Sequence, residues 1–147
     1  MKIAMMAAAA ALLAMPAMAQ QAAPAPLQVE IPEMPTAVSD PTCGGRVGLA
    51  QQAMCVVTTQ AAIAGLVDVY SAAFARQQWL PAGGEENRVV YVRRREGGGC
   101  DGFEMMAFAD PARVPGPAEP AWLAFAAIPG DICAAQPAGA PTPAPAQ

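Results

Sequence analysis

The sequence predicts an α+β domain: one long N-terminal helix packed on a three-stranded antiparallel sheet, held by two disulfides and flanked by disordered Pro/Ala-rich tails. Three observations predict it. A stretch rich in good helix formers runs from Arg46 to Leu80, three β-rich runs follow it, and four cysteines are spread through the same region.

The helix is read from composition and period. Ala, Gln, Leu and Met dominate Arg46–Leu80 and favour the helical backbone. Ile63, Leu66, Val67, Tyr70 and Phe74 recur at three- and four-residue steps and make one apolar stripe. The weak point is Val56-Val57-Thr58-Thr59, whose β-branched side chains crowd the preceding helical turn. Gly65 weakens the segment further, so a break near Thr58 would give two shorter helices. Pro81-Ala82-Gly83-Gly84 is expected to end the helix.

Three strands are expected next. Arg88–Arg95 carries Val89, Val90, Tyr91 and Val92, a strongly β-forming set. Gly102–Ala109 carries Phe103, Met105, Met106 and Phe108. The turn Glu96-Gly97-Gly98-Gly99 between them predicts a hairpin. Ala121–Ile128, around Trp122, Leu123 and Phe125, reads as the third strand. A helix on one face of such a sheet buries its stripe economically.

The ends are of a different kind. Residues 1–19 read as an export signal: Lys2, an apolar run from Ile3 to Met15, Pro16, and the small-x-small site Ala17-Met18-Ala19. The run is short for a membrane span, which needs roughly 20 apolar residues. Residues 20–41 and 136–147 are rich in Pro and Ala and read as a linker and a tail. Residues 42–135 are left as one small domain. Export places the chain in the periplasm or the medium, where disulfides persist. Loss of Lys2 leaves 7 basic against 12 acidic residues, a formal charge of −5. That acidity disfavours nucleic acid as a partner.

Cys43, Cys55, Cys100 and Cys133 permit three pairings. If the hairpin runs back along a single helix from its C-terminal end, the glycine turn faces the helix's first half. The expected bonds are then Cys55–Cys100 and Cys43–Cys133.

The chain has no histidine and no C-x-x-C. This removes imidazole-activated nucleophiles, histidine metal sites and the usual dithiol oxidoreductase motif. No catalytic residue, metal or cofactor is expected. Asp101 and Glu104 bracket Phe103, but strand alternation sends them to opposite faces, a poor arrangement for an acid and a base. Gly97-Gly98-Gly99 lacks the Lys and Ser/Thr of a phosphate loop and precedes a strand. Met105-Met106 reads as core filling, and Trp79 and Trp122 as a pair packed together or an exposed recognition face. The basic cluster Arg88, Arg93, Arg94 and Arg95 is the candidate site for an anion or partner, or else a charged strand end that discourages aggregation. The expectation is thus an exported, non-catalytic module that binds a protein or cell-envelope component. The alternatives are a small carboxylate-dependent hydrolase using Asp101 or Glu104, and a thiol redox protein.

Overall fold

A computed structural model describes residues 26–134. The export signal, the start of the proline-rich linker and the C-terminal tail lie outside the described residues. The elements in chain order are β1 (Val38–Ser39), α1 (Val47–Ala50), β2 (Ala53–Thr59), α2 (Ile63–Arg76), β3 (Leu80–Glu85), β4 (Arg88–Arg94), β5 (Cys100–Ala109) and β6 (Pro120–Ile128). The strands form one six-stranded sheet in the order β1-β2-β6-β5-β4-β3, with every neighbour antiparallel.

This overturns the single long helix on three strands. The β-branched run Val56–Thr59 is not a strained helix but part of β2, which pairs with β6 from Ala53↔Ala126 to Thr59↔Pro120. Two physical terms favour the strand. Val and Thr lose χ1 freedom in a helix and pack well on a pleated surface. Pairing with β6 also satisfies the backbone along the whole segment on one side, and β1 pairs with Val56 and Val57 on the other. What remains of the expected helix is the single turn α1 and the 14-residue α2.

The second difference lies at Pro81–Gly84. These residues do not end a helix; they belong to the edge strand β3, which pairs with β4 around a bulge between Pro81 and Gly83. A Cβ on Gly84 would strike the Arg88 carbonyl, so glycine permits the close approach there. The helix ends earlier, at Gln77–Trp79. Gln78 is left-handed (φ 65°), and the Gln78 and Trp79 N–H groups bond to the Ala75 and Phe74 carbonyls. This is a Schellman cap with glutamine where glycine is usual.

The hairpin expected from Arg88–Arg95 and Gly102–Ala109 does form. β4 and β5 pair from Arg88↔Met106 to Arg94↔Cys100. The strand expected at Ala121–Ile128 is β6, paired with both β2 and β5.

The helical stripe is where the sequence places it. Leu66, Tyr70 and Phe74 of α2 are buried, with Ile63 and Val67 partly so. They pack on the sheet face that carries Val56, Tyr91, Phe103, Met105, Leu123 and Phe125. Phe74 lies within 5.9 Å, centroid to centroid, of the rings of Tyr70, Tyr91, Phe103 and Phe125. Part of the stretch read as linker joins this core. Val29 is buried, and Leu27, Ile31, Met34 and Ala37 lie against it.

The opposite sheet face carries a smaller cluster of Cys43, Cys55 and Ala124, covered by Leu49 and Ala50 of α1 and flanked by Met106 and Phe108. Met105 and Met106 therefore serve different cores. The two tryptophans are also on opposite faces: Trp79 packs edge-on against Phe103, while Trp122 stacks on Phe108.

The disulfides are Cys43–Cys55 and Cys100–Cys133, not the pairs expected from a single helix. Once α1 is only one turn, the chain doubles back and β2 lays Cys55 against Cys43. β6 ends beside the start of β5, so the loop after β6 delivers Cys133 to Cys100. The bonds span separations of 12 and 33 residues. In the chain-entropy picture such loops contribute about 3 and about 4 kcal/mol.

Phe74→Ala is expected to cost about 3–5 kcal/mol, read as a fall in the urea midpoint at unchanged m-value. Gln78→Gly relieves a left-handed non-glycine residue and is expected to raise stability by about 0.5–1 kcal/mol in the same assay.

Candidate functional site

Strand alternation sorts the arginine cluster before any ligand is considered. Arg93 shares the helix-bearing face with Trp79 and Asp101, while Arg94 lies opposite Cys100 on the other face. The guanidinium of Arg93 stacks 4.4 Å above the Trp79 ring and reaches Asp101 at 4.0 Å. Arg95 is fully engaged: it donates to Asp101 Oδ1 (2.6 Å) and to the carbonyls of Cys100 (2.9 Å) and Gly130 (3.0 Å). Its role is to tie the β4–β5 turn to the loop after β6. Arg88 pairs with Glu104 at 3.6 Å. Of the four, Arg94 alone has no acidic partner among the described residues.

Arg94 borders a half-open groove of about 450 Å³ at the β3–β4–β5 end of the sheet. Leu80, Ala82 and Val92 give it an apolar wall, and Gln78, Arg93, Cys100 and Cys133 complete the lining. Leu80 and Val92 are cross-strand partners, which is why two residues far apart in character from a binding motif stand together. Leu80 is 63% exposed, a large apolar side chain left uncovered. The groove sets this apolar wall beside Gln78 and two arginines.

The sequence pointed to Arg94 only as one of four equivalent cations. Nothing in it points to Leu80, Ala82 or Val92 as groove residues, because Leu80 and Ala82 read as a helix end and Val92 reads only as a strand residue. The missed signal was the run Leu80–Glu85 followed at once by Arg88–Arg94, two segments of strand length separated by Glu86-Asn87.

The carboxylates do not assemble into an acid–base pair. Asp101 lies on the helix-bearing face with Arg93 and Arg95, and Glu104 on the opposite face with Arg88. Ser71 is likewise committed. It donates to the Val67 carbonyl and lies 2.7 Å from the Tyr91 hydroxyl. Cys100, Asp131 and Cys133 place their donor atoms within 4.8 Å of one another, but the two sulfurs are joined to each other. The Trp79 indole N–H is buried with no hydrogen-bond partner, a cost offset by packing against Phe103 and Arg93.

Two carboxylates are held ionised by local donors. Asp40 accepts from the Thr42 hydroxyl (2.6 Å), the Thr42 and Gly44 N–H groups (both 2.9 Å) and Trp122 Nε1 (2.8 Å). The Thr42 hydroxyl is the largest influence, and together these donors lower its pKa to about 2. The Asp131 pKa is also lowered, chiefly by the Cys100 N–H, with Cys133 N–H and Arg95 assisting.

Comparison of the chain with protein-family models, with curated proteins and with solved structures gives no match. The two disulfides point to an oxidising, exported compartment. Among the described residues no helix is long and apolar enough to cross a membrane.

Because the Asp40 pKa is lowered on folding, its contribution is present above the unfolded value near 4. It is lost as pH falls toward about 2. Stability is expected to drop across that window, and Asp40→Asn to flatten the drop, as followed by urea unfolding at stepped pH.

Proposed function

We propose that the protein is an exported, non-catalytic binding module, acting in the periplasm or the medium. It holds a protein or cell-envelope component in the groove between Leu80, Val92 and Arg94. One observation carries this reading: the only arginine of the basic cluster without an acidic partner among the described residues borders the apolar groove. A guanidinium left free beside exposed apolar side chains favours a ligand that offers an anionic group next to an apolar one. The separation of Asp101 from Glu104, each engaged by arginine, weighs against hydrolysis by paired carboxylates.

The test is photo-crosslinking in the exporting host. A photoreactive residue in place of Leu80 is expected to give a discrete adduct that Arg94→Glu reduces about tenfold or more, the scale of losing one charge-assisted contact. The same residue in place of Val114, 85% exposed and away from the groove, serves as the control. Identical adducts at both positions, or none at residue 80, would sink the groove as a binding site.

A further inference from the structure

The two disulfides are not equivalent. Cys43 and Cys55 are 0% and 1% exposed and lie beneath α1. Cys100 is 1% exposed while its partner Cys133 is exposed, and both line the groove that Arg94 borders. One cysteine of one bond is thus an exposed residue on a groove that also carries a cation, and the other three cysteines are buried.

We propose that Cys133 is a thiol-exchange site, at which an incoming thiolate opens the Cys100–Cys133 bond while Cys43–Cys55 stays closed. Exchange requires the attacking thiolate to approach a disulfide sulfur in line, so access selects the bond and the sulfur. The thiolate attacks Cys133 Sγ. A new S–S bond forms between the donor and Cys133 as the Cys100–Cys133 bond breaks. Cys100 Sγ departs with the electron pair and takes a proton from water. With a dithiol donor, the donor's second thiolate then displaces Cys133. Two electrons have passed to the cysteine pair, and the donor leaves as a disulfide.

Charges of both signs stand near the bond: Asp131 places a carboxylate oxygen within 4.8 Å of both sulfurs, and Arg94 lines the groove. Arg94 lies across from Cys100 in the β4–β5 register and borders the groove through which the donor arrives. A guanidinium there favours an anionic donor. The bond is also a clasp. Ile132 covers Gly102 so closely that a Cβ there would collide with it, and Asp131 accepts from the Cys100 and Cys133 N–H groups. Arg95 holds the Gly130 carbonyl. These contacts keep residues 129–133 on the sheet when the covalent link opens, so exchange does not require unfolding.

The site shares the groove of the proposed binding function, but it rests on the unequal burial of the two disulfides, and its test needs no binding partner. The folded, exported protein is treated with graded glutathione at neutral pH without denaturant, quenched in acid, alkylated and peptide-mapped. Cys100–Cys133 is expected to open faster than Cys43–Cys55 by on the order of a hundredfold, since the enclosed bond must wait for the fold to open. The trapped glutathione adduct is expected on Cys133. Opening of both bonds together, Cys43–Cys55 opening first, an adduct on Cys100, or no reaction until denaturant is added would each overturn the proposal. Arg94→Ala is expected to slow opening by glutathione about three- to tenfold relative to opening by the neutral thiol 2-mercaptoethanol. Equal rates with both thiols would remove Arg94 from the site. Selective opening without a crosslink at residue 80 would strike the binding reading alone, and the reverse result would strike the exchange site alone.

Discussion

The structure depends on the meeting of Phe74 with the sheet. One ring from the last full turn of α2 reaches Tyr91, Phe103 and Phe125, one residue from each of three strands, and Tyr70 from its own helix. Each such aromatic contact contributes about 0.5–1.5 kcal/mol beyond the area it buries. More consequential is what it constrains. Because β4, β5 and β6 each supply one partner ring, the registers of all three are tied to a single point. A one-residue slip in any of them would send its aromatic side chain to the other face.

The opposite face is held by different means. It has little apolar mass, since Cys55 and Ala124 are small and α1 is one turn long. Covalent and polar constraints take over there. The Cys43–Cys55 bond closes the α1 loop on β2, and Asp40 gathers Thr42, Gly44 and Trp122 around one carboxylate. Arg46 closes the rim by lying 4.2 Å over the Phe108 ring. The sheet is therefore packed by hydrophobic burial on one side and stapled on the other, as suits a domain too small for two full cores.

Charge follows the same economy. Arg95 and Asp131 serve the clasp around Cys100–Cys133, and Arg93 lies on Trp79. Arg88 is spent on Glu104. Four cations that look alike in the sequence thus divide into three paired with carboxylates and one, Arg94, with no acidic partner among the described residues; Arg93 and Arg94 both line the groove. Cys133, an exposed residue, lines that groove too, so the proposed binding and exchange chemistry converge on one end of the sheet.

The local pieces with strong short-range signals are legible in the chain. The 3.6-residue stripe of Leu66, Tyr70 and Phe74 became the buried face of α2, and the glycine turn between two β-rich runs became the β4–β5 hairpin. The opposite orientations of Met105 and Met106, and of Asp101 and Glu104, follow from the two-residue period of a strand alone. Tertiary structure decided the rest. Ala53–Thr59 sits among helix formers, which mask its β-branched half, and Leu80–Glu85 contains Pro and two glycines; each becomes a strand because a neighbouring strand pairs with it, continuously for the first and around a bulge for the second. The disulfide pairs and the groove then follow from strand order, which brings residue 133 back to residue 100 and residue 80 across from residue 92. Local propensity acts over a few residues, whereas strand order is set by the joint burial of side chains far apart in the chain, which no single segment encodes.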